Sequence, residues 1–108
     1  MRVSMPTYNL NPVLKESPGR EDKVVTEFYE EINRGIEKFG NYNSYHEAYA
    51  VIKEEFDELW DELKVNADNR DLTKVYEEAI QVAATSYRLA EEIYIEHLSP
   101  GAISAKDK

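Results

Sequence analysis

Six acids crowd one short stretch of the chain: Glu54, Glu55, Asp57, Glu58, Asp61 and Glu62. On a helix advancing about 100° per residue they do not spread evenly. Glu55, Glu58 and Glu62 fall on one line beside the apolar positions Ile52 and Leu59, with Glu54 flanking that line. Asp57 and Asp61 point to the opposite, solvent side. Stacked like charges cost a few tenths of a kcal/mol per pair on an exposed helix. Beside a core they cost more, because burial disfavours the charged form. A hard divalent cation offsets that cost, and Mg²⁺ or Mn²⁺ suits carboxylate oxygen. A second set of donors lies downstream in Glu77-Glu78-Ala79-Ile80-Gln81, where Glu78 borders an apolar stripe near Val82. If the two segments pack antiparallel, Glu55 and Glu58 face Glu78, and three carboxylates and the Gln81 amide converge. The plain alternative is a solvated acidic face, and it is assigned to Asp57, Asp61, Glu30, Glu31, Glu91 and Glu92.

Helices must hold these groups. The pattern Val25, Phe28, Ile32, Ile36, Phe39 recurs every three or four residues and predicts a helix over 22–39. Acids at its start suit the helix dipole, and Gly40 ends it. Ser44-Tyr45-His46-Glu47 has the form of a capping box, in which hydroxyl and carboxylate reciprocally satisfy free backbone donors. It opens a second helix over 45–64, with an apolar face of Tyr45, Ala48, Tyr49, Ile52, Phe56, Leu59, Trp60 and Leu63. A polar loop follows, and Asp71 or Thr73 caps a third helix over 72–97. The stripe of that helix is Leu72, Val75, Tyr76, Ala79, Val82, Ala83, Ser86, Ala90, Ile93 and Tyr94. Ser99-Pro100-Gly101 ends it. Pro6, Pro12 and Pro18 forbid a continuous helix in residues 1–21, which read as an irregular arm. Residues 22–98 form one helical domain and 99–108 a tail. The expected fold class is all-α, an antiparallel bundle of three main helices. Three helices bury little alone, and the small side chains of helix three admit a close neighbour, so a homodimer or homotetramer is expected to complete the bundle.

Composition narrows the chemistry. With 22 acidic and 13 basic residues, the chain has a formal net charge of −9 and repels nucleic-acid polymers, so its expected partners exclude them. A single nucleotide can still bind where a cation masks the charge. No cysteine is present, which removes disulfides, thiolate metal sites and a Cys nucleophile. The two histidines, His46 and His97, are too few for a His-rich zinc site. Neither a signal peptide nor a run of roughly 20 apolar residues is visible, so the expectation is a cytoplasmic protein with no membrane partner.

The segment Ile52-Lys53-Glu54-Glu55-Phe56-Asp57-Glu58-Leu59-Trp60 resembles the Glu-Glu-x-x-Glu helix of MazG-like all-α nucleoside triphosphate pyrophosphohydrolases. Glu78-Ala79-Ile80-Gln81 occupies the place of that family's second motif, Glu-x-x-Asp, and the likeness covers residues 44–92. The resemblance implies the MazG-like fold, Mg²⁺ held by Glu54, Glu55, Glu58 and Glu78, and a nucleoside triphosphate substrate. It implies catalysis at Glu55 and Glu58, with products nucleoside monophosphate and pyrophosphate. Gln81 departs from the motif: it can coordinate through its carbonyl oxygen but brings no charge and cannot act as a base.

Other candidates have plainer readings beside them. Arg88 could meet a phosphate or simply pair with Glu92. Lys53 could touch a phosphate but sits away from the ridge. Trp60, Tyr49 and Phe56 could stack on a base, although aromatics at helical spacing usually belong to a core. Tyr42 and Asn43 could cover a nucleotide at the bundle end. Two rivals to the enzyme stay open: a helical interaction module with weak or no metal binding, which Gln81 favours, and a structural dimer with a solvated ridge.

Overall fold

Local signals set three long helices, and the computed structural model describes them over residues 20–102. Helix α1 spans Arg20–Phe39. Gly40 closes it with φ +70°, a left-handed value that costs only glycine little, and its amide donates to Ile36 O at 2.8 Å. Helix α2 spans Tyr45–Leu63. Its cap keeps half of the expected box: Glu47 N donates to Ser44 Oγ at 3.0 Å. The Glu47 carboxylate instead accepts from the Asn43 amide (2.7 Å) and from Asn43 Nδ2 (3.1 Å), one residue upstream.

A 3₁₀ turn, Ala67–Asn69, carries the chain back. Arg70 staples this connection by donating to Leu63 O and Val65 O. Helix α3 spans Leu72–Ile93, and Asp71 caps it through the amides of Thr73 and Lys74. Its last stretch, expected as α-helix, widens into a π-helical turn over Tyr94–Leu98. The irregular arm expected over 1–21 lies outside the described residues except for Arg20 and Glu21, which are helical. Of the tail, residues 103–108 lie outside them as well.

Helix α3 is the axis of the molecule. Both α1 and α2 pack on it, and among the described residues the backbones of α1 and α2 do not approach each other. Helix α2 runs antiparallel to α3, whereas α1 runs parallel to it, bringing Glu27 to Tyr76 and Gly35 to Arg88. Phe28 meets Tyr87 edge-on at 5.6 Å between ring centres, which seals the α1 side. The arrangement is therefore an up-down-up trio hung on one helix rather than a closed bundle. One side of α3 floors an open cleft between α1 and α2. The opposite side, called the back face below, is bare among the described residues.

That geometry corrects the stripe expected on α3. Val75, Val82 and Ile93 are half-buried, but Leu72, Ala79, Ala83, Ser86, Ala90 and Tyr94 are exposed. The buried positions are Ala84, Thr85, Arg88 and Glu92. A central helix flanked on two sides must bury the arc between its flanks, and on α3 that arc is polar. The face expected on α2 divides similarly. Ala48 is buried and Ile52 and Leu59 are half-buried, while Tyr49, Phe56, Trp60 and Leu63 are exposed.

Candidate functional site

The antiparallel pairing of α2 with α3 brings the two acidic segments together. Glu55, Glu58 and Glu78 each offer a carboxylate oxygen, and these atoms lie within 4.8 Å of one another. An ion at the centre of such a triangle sits at most about 2.8 Å from each oxygen, so Mg²⁺, which binds at about 2.0–2.1 Å, would draw each carboxylate in by under 1 Å.

The electrostatics disfavour charge on the cluster, and hydrogen bonding of Glu58 to both Glu55 and Glu78 adds to the effect. Burial pushes the Glu55 carboxyl up to about 7, and the charges of Glu58, Glu78 and Glu54 push in the same direction. Burial also raises the Glu78 pKa, with Glu58, Glu62 and Glu77 adding to it. Glu78 Oε1 is wholly buried and has no hydrogen-bond partner. An acceptor cut off from water and unpaired costs on the order of 1–3 kcal/mol, and a cation or a proton is what relieves it.

The cluster opens beside the cleft. This cavity of about 390 Å³ is walled by Glu31, Gly35 and Phe39 of α1 and by Glu47, Val51, Glu54 and Glu55 of α2. Gln81, Ala84, Thr85 and Arg88 of α3 form its floor, and the loop residues Asn41, Tyr42 and Asn43 close one end. Gln81 also borders a wider, shallower groove between α1 and α3 that Glu78 lines. Gln81 therefore lines both the cleft and the groove that Glu78 borders.

A buried latch fixes the closed end. Arg88 Nη2 donates to Gly40 O at 2.8 Å, and the guanidinium lies over the Tyr42 ring at 4.7 Å from its centre. Tyr42 in turn donates its hydroxyl to Thr85 O and its amide to Glu92 Oε2, both at 2.9 Å. Gly35 makes room for this arrangement, because a Cβ there would lie 2.9 Å from Arg88 Nη1. Arg88 Nε is buried without a partner.

The candidate residues thus divide. Glu55, Glu58 and Glu78 converge, with Glu54 and Gln81 adjacent along the cleft wall and floor. Arg88 reaches the cleft, but two of its contacts go to the Gly40–Tyr42 loop rather than outward. Lys53 pairs with Asp57 at 2.8 Å on the solvent side of α2, away from the cleft. Trp60 is exposed on the back face and lines neither cavity. Glu92, expected on a solvated face, is buried as the acceptor for Tyr42 N. Glu31, also expected there, is half-buried, pairs with Arg34 and lines the cleft.

Sequence reasoning gave no site role to Gly35 or Thr85, and read Glu92 as solvated or as a partner of Arg88. A signal for two of them was present: Gln81, Thr85, Arg88 and Glu92 repeat every three or four residues, making a polar stripe as regular as any apolar one. No family model, curated protein or solved structure matches the chain.

Proposed function

We propose that this protein is a metal-dependent nucleoside triphosphate pyrophosphohydrolase, with Mg²⁺ held by Glu55, Glu58 and Glu78 and the substrate seated in the cleft. The carrying observation is the meeting of these three carboxylates, of which Glu55 lines the cleft and Glu78 has a buried, unpartnered oxygen. Glu54, on the cleft wall, adds a fourth carboxylate, and Gln81 offers a carbonyl oxygen. The cation would supply neutralisation of the polyphosphate charge and a lowered pKa for an attacking water.

The protein groups have their own tasks. The cleft volume suits a nucleoside, at the small end of the range of ligand pockets. The Arg88–Tyr42 latch holds the end wall rigid, so the nucleoside is positioned against a fixed surface. Unmasked, the acidic walls repel phosphate, so binding of triphosphate depends on the cation being bound first or together with it. The resemblance of Glu54-Glu55-x-x-Glu58 to the MazG-like motif points to cleavage between the α and β phosphates.

One residue favours a second reading. Gln81 provides no negative charge where the resembling motif has Asp, which weakens any second metal position and favours a non-catalytic helical module of the same shape. Two measurements separate the readings. Calorimetric titration with Mn²⁺ is expected to show saturable binding that Glu78→Gln weakens. Release of pyrophosphate from a panel of ribo- and deoxynucleoside triphosphates is expected only with metal present. Metal binding without pyrophosphate release from any of them would leave the module; no saturable metal binding would end both the metal and the enzyme.

A further inference from the structure

The closed end of the cleft holds a cation that the chain does not neutralise. Arg88 is only 6% exposed, and a charge taken this far from water is ordinarily paired. Among the described residues no carboxylate pairs with it. The acids nearest that end are engaged elsewhere. Glu31 pairs with Arg34, Glu47 accepts from Asn43, and Glu92 accepts from Tyr42 N.

The three nitrogens of Arg88 have different surroundings. Nη2 donates to Gly40 O, and Nε is enclosed without a partner. Nη1 has no hydrogen-bond partner among the described residues and stands beside Gly35, where a Cβ would come within 2.9 Å of it. Gly35 and Arg88 both line the cleft. The N–H groups of Nη1 therefore face its lumen, and the absent side chain at position 35 leaves their approach open.

We infer that Arg88 Nη1 reads the base of the nucleotide by donating to a carbonyl oxygen, so that the cleft favours oxo-bases over adenine. This rests on the cleft seating a nucleoside and adds which bases it takes. A guanidinium only donates. Adenine has no carbonyl, and its exocyclic amine would set donor against donor. Position separates base from phosphate: Arg88 lies ten residues beyond Glu78 on α3, about 15 Å along the helix axis. With the phosphates held at the carboxylates, the far end of the molecule is what reaches Arg88.

Nuclear magnetic resonance titration of the full chain with nucleosides, in metal-free buffer, tests this without requiring turnover. Inosine and adenosine share a size and differ by carbonyl against amine. Inosine and uridine are each expected to bind about tenfold or more tighter than adenosine, read from saturable shifts of the Gly35 and Tyr42 amides. Arg88→Met keeps an apolar stem but removes every donor, and should erase the preference. Where loss of the latch unfolds that variant, Gly35→Ala sets a methyl group against Nη1 and should cut the preference below about threefold. Equal affinity for inosine and adenosine overturns the inference, as does a preference unchanged in the folded variants or the absence of saturable shifts with any nucleoside. Shifts with inorganic phosphate alone overturn it too, making Nη1 an anion contact. The reading of the cleft as an enzyme fails on a separate result: no pyrophosphate from any nucleoside triphosphate with Mg²⁺, whatever the nucleoside affinities.

Discussion

The two sides of α3 invert the usual distribution of side chains. On the cleft-facing side of the helix, an arginine, a threonine and, beyond the end wall, a glutamate are buried. On the back face, a tryptophan, a phenylalanine and a tyrosine are exposed. A hairpin in which α3 buries charge on one side while α2 exposes rings on the other is not optimising a monomeric core. The cleft side holds its polar groups with specific partners, as the Arg88–Gly40 and Tyr42–Glu92 bonds illustrate. The back face has geometry but no partner among the described residues.

The largest expected effect is on the latch. Arg88→Ala should destabilise the fold by on the order of 3 kcal/mol in urea unfolding, because it removes a buried stem, the Tyr42 stack and the bond to Gly40 O. A cost under about 0.5 kcal/mol, the level of an ordinary surface substitution, would break the contrast between the two faces. Gly35→Ala should come next. On an open helix it would stabilise by up to about 1 kcal/mol, but here the new Cβ meets Arg88 Nη1 at 2.9 Å. Arg88 is buried and held at Gly40 O, so a net loss of about 1 kcal/mol is expected from overpacking, read as a lower Tm.

Glu55 gives a smaller, pH-dependent effect. Its folded pKa of about 7 lies above the ordinary carboxylate value of 4.5, so the folded state binds more protons than the unfolded state between those limits. Stability without metal should therefore fall as pH rises from about 4.5 to 7, with the protonated folded form favoured at the low end. Saturating Mn²⁺ should oppose that fall by stabilising the ionised cluster. Glu55→Gln should flatten the Tm profile, raise Tm above pH 7 without metal, and abolish metal-dependent turnover. An unchanged profile would remove Glu55 from the cluster. The smallest effect belongs to Gln81→Asp, which should tighten Mn²⁺ binding about threefold to tenfold by adding a charge beside the cluster. No change would place the Gln81 side chain off the ion.

What the sequence disclosed follows from where the determining physics is local. Helix ends were legible because Asp71, Ser44 and Gly40 act within four residues of themselves. The meeting of Glu55, Glu58 and Glu78 was legible because a short connection forces α2 and α3 antiparallel, and periodicity then fixes the facing residues. The cleft was not legible, because it exists only where α1 and α2 stay apart, a fact that no single helix encodes. The same gap explains why Glu92 read as solvated: its partner, Tyr42 N, is fifty residues away and in a loop. The back face read as core because apolar periodicity reports which side seeks cover, not whether the same chain supplies it.

The suspension of α1 and α2 from one axis has a kinetic consequence. Since α1 and α2 share no backbone contact, α1 can lift from α3 starting at its N-terminal end without disturbing the α2–α3 hairpin, because Arg88 and Tyr42 hold the Gly40–Asn43 loop to α3. The amide protons of α1 should therefore exchange with deuterium ahead of those of the hairpin, as a separately opening unit. A ligand bridging the two walls would slow that exchange in α1 specifically, so a protection map could report occupancy of the cleft even where no turnover is observed.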